Sequence, residues 1–459
     1  MSVSATTAEV VICGAGIAGV AAAYHLAVRR GLRDVVLVDE RPALTLTSDK
    51  SAECYRNWWP GPGDSMVALM TRSIDLLEEL AHESGNVFRM NRRGYLFATA
   101  DPARVAELVR FAEDASGFGA GPVRRHERPG SDYRPAPAEG FEKQPTGIDV
   151  ITDRALIRRE FGWLTEDTIA LVHARRCGWF SGQQLGMYML ERARDKGVRL
   201  LEGRVDAVET TGGRVSGVKV SGPGGTRTIA TPRFVDAAGP FVGRVARLLG
   251  VELPVFCERH GKVAFTDVLG AMPRSAPLTI WCDPVRLRWS DDERAELAGS
   301  EHRHLLDEFP AGVHGRPEGA GESQSVLVIW TYDAAPVAPT FPVEFDPSFA
   351  EIAIRGMSRM VPAFAGYLSR LPRAFVDGGY YTKTRENRLL SGPLPVEGAY
   401  VIGALSGYGM MSSNGAADLL ADHITGMRLP HYAPAFLPSR YDDPAYRALL
   451  EHWGDSGQL

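Results

Sequence analysis

The segment Val10-Val11-Ile12-Cys13-Gly14-Ala15-Gly16-Ile17-Ala18-Gly19-Val20 decides the fold. A short apolar run suited to a buried strand leads straight into Gly-x-Gly-x-x-Gly, and Ala21-Ala22-Ala23-Tyr24-His25-Leu26 continues as a helix. Gly14 permits the tight turn, Gly16 lets the backbone approach a pyrophosphate, and Gly19 lets the helix lie close on the strand. Phosphates would then meet the helix start at Ile17 and Ala18, where free N–H groups and the helix dipole favour anions. A second apolar run, Val35-Val36-Leu37-Val38, ends in Asp39. A carboxylate there can accept hydrogen bonds from ribose hydroxyls and would repel a 2′-phosphate. Glu40 is the neighbouring candidate. A glycine triplet alone can be a tight turn and nothing more. Strand, glycines, helix, second strand and acid in this order predict an adenine dinucleotide site.

The rest of the chain sets the frame around this unit. A length of 459 residues implies two or three structural units with ample core, and 44% hydrophobic with 23% charged residues is ordinary for a globular protein. A net charge of −5 gives no electrostatic footprint for nucleic acid or an anionic membrane. The cysteines at 13, 54, 177, 257 and 282 show no metal-ligand or redox spacing, which reads as reduced thiols of a cytoplasmic protein. Residues 1–9 lack a basic start and an apolar stretch, so no secretory signal is expected. Residues 10–28 are almost uncharged, yet three glycines break them, and strand–turn–helix explains them better than a membrane span.

Helical periodicity marks 65–83 and 184–196, and Arg93-Gly94-Tyr95-Leu96-Phe97-Ala98 between them reads as a strand. Residues 122–145 read as a surface loop, and 291–296 and 123–134 as solvated surface. The runs 205–209 and 215–220, separated by Gly212-Gly213, predict a hairpin. Phe234-Val235-Asp236-Ala237-Ala238-Gly239-Pro240 is an apolar strand closing on small residues. Short strands alternate with loops over 253–345, with a polar, Gly-rich insert at 291–323. Near the end, Ala399-Tyr400-Val401-Ile402-Gly403-Ala404 is a strand, Leu405-Ser406-Gly407-Tyr408-Gly409 a turn, and 416–424 a helix. Two strand–glycine–helix units at opposite ends suggest one domain built from discontinuous segments, with a separate antiparallel domain for the substrate.

Taken together, these elements resemble the D-amino-acid oxidase superfamily, and most nearly its sarcosine-oxidase and glycine-oxidase branch. The resemblance covers nearly the whole chain in the family's order. It implies an α/β fold: a Rossmann-like FAD-binding domain from 1–88, 170–252 and 378–429, and an α+β substrate domain with an antiparallel sheet from 89–169 and 253–377. Residues 430–459 would be a C-terminal extension that packs on the body or on a partner. The implied cofactor is FAD, extended, with its ring system between the domains. By the same resemblance Val205 lies at adenine, Ala238 and Gly239 approach the dinucleotide, and Gly403, Ser406, Gly407, Tyr408, Gly409 and Met410 line the flavin. Ser48, Lys50 and Ser51 pass near it, and Arg56 covers one of its faces.

The departures from the family are informative. Sarcosine oxidases tether flavin through a cysteine two positions before their Tyr-Thr; here Gly379 precedes Tyr381-Thr382. Another branch uses a histidine after the second strand, and none lies between Asp39 and Arg56. Non-covalent FAD is expected. The lysine and arginine that usually hold a substrate carboxylate are replaced by Met411 and Trp59, and the turn histidine by Tyr408. The oxygen-activating lysine of the central strand is missing, with Lys262 a substitute whose placement needs the fold.

Candidate catalytic residues are therefore Arg56, Lys262, Tyr408 and Trp59, each with a bland rival. Trp58, Trp59, Tyr381 and Tyr408 can wall a substrate or simply pack a core. Arg56 can cover the flavin or pair with Glu53 on the surface. Lys262, beside His260, can poise oxygen or merely edge a strand. Arg385, Glu386 and Arg388 can flank the flavin or form an ion-paired loop, and Cys54 reads as a buried thiol. The first functional expectation is FAD-dependent oxidation of a C–N bond, of a secondary or N-methylated amine, with oxygen or another electron acceptor. The alternatives are a 2-hydroxy-acid or alcohol dehydrogenase, with His260 as base, and the flavin subunit of a larger dehydrogenase complex. A homo-oligomer is open.

Overall fold

The computed structural model describes residues 6–59 and 61–453. The expectations for residues 1–5 of the start and 454–459 of the tail lie outside the described residues. Across the first sheet the strands run Leu390–Pro393, Ala399–Gly403, Phe234–Asp236, Val10–Cys13, Val35–Asp39 and Arg199–Glu202. All neighbours are parallel except the edge pair Leu390–Pro393 with Ala399–Gly403. The central strands are buried on both faces, which is why they read as unbroken Val/Ile/Leu runs. The helix Ile17–Tyr24 is wholly buried between this sheet and the helices Gly182–Asp195 and Gly409–Thr425. Gly19 makes that approach possible: a Cβ there would lie 1.8 Å from the Gly14 carbonyl oxygen.

The expected hairpin forms from Arg204–Thr211 and Arg214–Gly222, and Gly225–Ala230 adds a third antiparallel strand. Gly212 and Gly213 both take positive φ at the turn.

A nine-stranded, mainly antiparallel sheet makes up the second region, in the order Phe375–Lys383, Phe256–Thr266, Ser325–Ile329, His314–Pro317, Leu278–Trp281, Tyr95–Thr99, Ala170–Ala174, Ile148–Ile151 and Val123–His126. Alternation sorts its side chains. Leu96, Ala98, Trp281, Val326 and Val328 face the helix Phe349–Met360, whereas Tyr95, Phe97, Leu278 and Ile280 join the core shared with the dinucleotide-binding segments. The hydrogen bonds of Ala170–Ala174 put it in this sheet, so a boundary at residue 170 would cut a strand from its partners. Phe375–Lys383 likewise runs past the expected boundary at 378.

Three surface expectations are corrected. Within 123–134, Val123–His126 is an edge strand, and Arg124 and His126 both bond the buried Asp149. Residues 291–296 lie in a helix, Asp291–Ala298, started by a Ser290–Glu293 capping box with three acids in its first turn. The insert 291–323 carries His314–Pro317, an interior strand, because its Gly315 and buried Arg316 fill places between two neighbours.

Candidate functional site

Between the two sheets runs a cavity of about 450 Å³. At one end lie Gly14, Gly16, Ile17 and Ala18, then Asp39 and Glu40, with Val205 beside them. Ala238 and Gly239 follow, and the far end is lined by Ser48, Lys50, Ser51, Lys262, Gly403, Ser406, Gly407, Gly409 and Met410. The structure therefore brings nearly all of the residues expected at the cofactor into one wall.

Local chemistry explains the shape. Gly14 has φ +107°, and a Cβ there would stand 2.4 Å from the Ala237 carbonyl oxygen, so only glycine closes this turn. Gly16 caps the helix without a side-chain oxygen, and Ser48 Oγ accepts a hydrogen bond from Ile17 N at 2.9 Å. Asp39 accepts from Ala15 N at 2.7 Å and from Arg41 N at 2.9 Å. Burial pushes its carboxyl above the usual range against those two bonds. At the other end, Ala404 and Ser406 hold φ of +51° and +46°, strained values that shape the turn before the helix Gly409–Thr425. That helix meets the cavity through Gly409 and Met410, so its N-terminus favours negative charge there.

These features fit an extended dinucleotide. The turn is stripped of side chains at Gly14 and Gly16, and the buried Thr47 Oγ1 on the wall has no partner among the described residues. Gly379 also lines the wall, beside Thr47, and offers no sulfur. Lys50 reaches the cavity, but its ammonium is held by Asp49 at 2.8 Å and Asp377 at 3.0 Å.

A second cavity of about 60 Å³ adjoins the first, and Ser51, Ala52, Tyr381 and Gly407 border both. Here the structure gathers Arg56, Trp59 and Tyr408, with Tyr95, His314 and Met411. Arg56 sits on the strand Cys54–Arg56, paired with Cys177–Trp179, whose alternation turns Cys54 and Arg56 inward while Tyr55 packs behind on Phe180. Arg56 is only 5% exposed, with its guanidinium carbon 4.2 Å from the Trp59 ring centroid and 5.9 Å from Tyr95. The surface pair with Glu53 is not formed; Glu53 instead accepts from Gly182 N. Burial lowers the Arg56 pKa, but a guanidinium stays charged. Tyr408 meets Trp59 edge to face at 5.2 Å and donates its hydroxyl to the Asn387 carbonyl at 2.7 Å.

One row across the nine-stranded sheet floors both cavities. Asp377, Lys262, Ile329, His314 and Ile280 are successive cross-strand partners and so share a face. Lys262 and Ile329 floor the larger cavity, His314 and Ile280 the smaller. Lys262 Nζ donates to Ser51 O at 3.1 Å; burial lowers its pKa against the pull of Asp377 and Glu53. His260 stacks on Tyr381 at 3.5 Å and is tied to Glu258 and Thr331. Trp58 packs on Phe97 and Phe111, away from either cavity wall. Cys54 is buried with a free thiol.

Sequence reasoning missed His314 and assigned nothing to Tyr95. His314 lay in a stretch read as a polar insert, and its strand is too short for periodicity to mark. Glu386 lines neither cavity. It pairs with Arg440 at 2.7 Å, and Tyr441 and Tyr446 donate to it, so the C-terminal extension packs on the body. The N-terminal glycine turn, the acid at the second strand and a cavity spanning two sheets define a protein built to hold an extended dinucleotide.

The chain belongs to the FAD dependent oxidoreductase (DAO) family, whose profile matches residues 9–423. It is 26% identical over 440 residues to mitochondrial dimethylglycine dehydrogenase of Homo sapiens, covering 95% of this chain. The chain spans 44% of that relative's length. Its fold is similar to L-proline dehydrogenase from P. horikoshii, with a TM-score of 0.72, 18% identity and coverage of 95% and 98% of the two chains. It is also similar to glycine oxidase from Geobacillus kaustophilus, with a TM-score of 0.70, 16% identity and coverage of 95% and 99%. The family places FAD as the cofactor. Among the described residues no helix is long and apolar enough to cross a membrane.

Proposed function

We propose that the protein oxidises the C–N bond of a secondary or N-methylated amine, or of an amino-acid derivative, to an imine that water hydrolyses. The observation that carries this reading is the small aromatic cavity around Arg56, which shares Tyr381 and Gly407 as wall residues with the larger cavity. When bound, FAD supplies a two-electron acceptor for the hydride of the substrate's α-carbon. The chain's part is to bind, orient and desolvate. Trp59, Tyr95 and Tyr408 offer apolar faces to substituents of the amine, and they exclude water from the reacting carbon. Arg56 gives the cavity a fixed positive charge, which draws a carboxylate and disfavours a bound ammonium. Similarity to dimethylglycine dehydrogenase, and in fold to L-proline dehydrogenase and glycine oxidase, supports an amine over a hydroxy acid.

Lys262 lies at the border of the flavin cavity with a lowered pKa, and we assign it to the reoxidation side of the site. Five buried free thiols support the expected cytoplasmic setting. The test is anaerobic mixing of purified holoprotein with N,N-dimethylglycine, L-proline, N-methylated amines of increasing size and 2-hydroxy acids. Bleaching of the yellow flavin band by an amine supports the proposal. Bleaching by hydroxy acids alone overturns it. Readmission of oxygen then separates an oxidase from a dehydrogenase that needs another acceptor or a partner subunit.

A further inference from the structure

A third cavity, of about 180 Å³, lies behind the flavin cavity, across the strand Phe256–Thr266. Alternation along that strand turns His260 and Lys262 to the flavin side and Arg259 the other way. Gly261 borders both cavities, and a Cβ there would stand 2.6 Å from Phe349 Cζ and 2.7 Å from Phe345 Cε1. The rings of Trp330, Tyr332, Phe345 and Phe349 wall the third cavity, with Tyr332 meeting Trp330 at 5.4 Å and Phe349 at 5.7 Å. Exposed Asp346 stands at its mouth, and hydrogen bonds from Ser348, Oγ at 2.6 Å and N at 2.8 Å, hold that carboxyl below its usual range. Among the described residues of the wall the one guanidinium is Arg259, which lies 3.8 Å from Asp333 and donates to the Glu344 carbonyl at 2.9 Å. His302 and His304 complete the mouth, their rings 6.3 Å apart.

We propose that this cavity binds a small organic cation, a protonated or quaternary amine without a carboxylate, and that the bound cation is sensed at the flavin cavity through Thr331 and His260. The proposal goes beyond the amine reading and stands without it. Aromatic faces carry the negative part of the ring quadrupole and attract an ammonium and its methyl groups. Arg259 already lies over the Phe345 ring at 5.6 Å, as a ligand cation would. Asp346 adds a full negative charge at the mouth, while Asp333 offsets the charge of Arg259. A ligand carboxylate would meet both aspartates and is turned away. The small cavity has the opposite character, because Arg56 disfavours a cation there, so the two cavities sort ligands by charge. The volume equals that of about six liquid water molecules, enough for an ammonium with several methyl groups.

Thr331 lies on the wall of the third cavity, and its Oγ1 is 2.6 Å from His260 Nδ1. On the other side of that ring, Nε2 is 3.1 Å from Glu258 Oε2. Burial alone would raise the Glu258 carboxyl, but bonds from His260 and Lys383 hold it below the usual range, so it accepts only. Nε2 therefore carries the proton, and Nδ1 accepts from the Thr331 hydroxyl. Burial lowers the His260 pKa, which keeps the ring neutral. The same ring stacks on Tyr381 at 3.5 Å, and Tyr381 walls both the flavin cavity and the small one. A cation beside the Thr331 oxygen polarises its O–H and strengthens it as a donor to His260. The ring stacked on Tyr381 thus feels whether the third cavity is filled.

The probe is tetramethylammonium, whose quaternary nitrogen has no lone pair to form C=N, so the flavin reaction cannot consume it. Purified holoprotein is titrated with it by calorimetry at about pH 8, above the ordinary histidine range, while the flavin absorbance is followed. Saturable uptake is expected, with a flavin difference spectrum that follows the same curve. Asp346→Asn, whose amide oxygen still accepts from Ser348, should weaken binding about fivefold, and Tyr332→Leu several-fold. Thr331→Val should keep the uptake and lose the spectral change. Trimethylacetate, of the same shape and opposite charge, should not displace the cation. No uptake by wild type, displacement by trimethylacetate, or full affinity in both Asp346→Asn and Tyr332→Leu would overturn the site. A silent flavin in the saturated wild type, or an unchanged difference spectrum in Thr331→Val, would overturn the transmission. The uptake and displacement measurements on wild type decide the site even where a variant does not fold. Bleaching by 2-hydroxy acids alone would sink the amine reading and leave this binding result as it stands.

Discussion

Replacing Arg440 with Met removes the partner of a fully buried carboxylate. Arg440 and Glu386 are 2% and 0% exposed, and Glu386 Oε1 accepts from Arg440 Nε and Nη2 at 3.0 and 2.7 Å. Breaking a buried ion pair from one side costs about 3–5 kcal/mol, because the remaining charge is stranded. The Tyr441 and Tyr446 hydroxyls still donate at 2.7 and 3.0 Å, which places the cost near the lower end, about 3 kcal/mol. That energy bears on the site. Glu386 precedes Asn387, whose carbonyl receives the Tyr408 hydroxyl, so the C-terminal segment anchors the loop behind the aromatic cavity. Peptide-level hydrogen exchange should show local opening of 384–388 and 430–453 raised about 100-fold. The double variant Glu386→Gln/Arg440→Met should recover at least half the loss, since no charge is left stranded. The pair also predicts an acid limb. Burial alone would raise Glu386, but Arg440 and the hydroxyl bonds hold it below the usual range. A depressed carboxyl stabilises the fold fully above its unfolded pKa of about 4.3 and loses that contribution as pH falls through the folded value. Unchanged exchange in Arg440→Met would refute the reasoning, as would a double variant worse than both singles.

Gly14→Ala combines a left-handed φ with a Cβ 2.4 Å from a carbonyl oxygen, and should weaken FAD binding at least about tenfold by fluorescence titration. Gly31→Ala, with φ +76° and open space, serves as the control and should leave affinity unchanged. Tyr408→Phe forfeits the bond to Asn387 O, worth about 1 kcal/mol, and should lower kcat/KM several-fold at unchanged flavin content. Acid precipitation should send all of the yellow colour into the supernatant, because Gly379 supplies no thiol; colour held in the pellet would mean attachment at another residue.

The dinucleotide half of the protein was legible in the sequence because its requirements are local. Gly14, Gly16 and Gly19 are read from backbone geometry within one turn, and Asp39 from its place at the end of a strand. The hairpin at Gly212-Gly213 and the final glycine turn were legible for the same reason. The smaller cavity was legible only in part: Arg56, Trp59 and Tyr408 stood out as residues, but not their meeting on one wall. Arg56 comes from a three-residue strand whose partner is Cys177–Trp179, far along the chain. His314 faces the cavity only because its strand is hydrogen-bonded between Leu278–Trp281 and Ser325–Ile329 in one register; a slip of one residue would turn it into the opposite core. Glu386 read either as a flavin neighbour or as part of an ion-paired loop, and its partner, Arg440, was identified only once the C-terminal segment folded back on it. What the chain encodes within a turn or a strand, sequence alone determined. What needs strands brought together from distant parts of the chain, including the placing of the Arg56 charge among aromatic rings in the small cavity, only the tertiary structure decided.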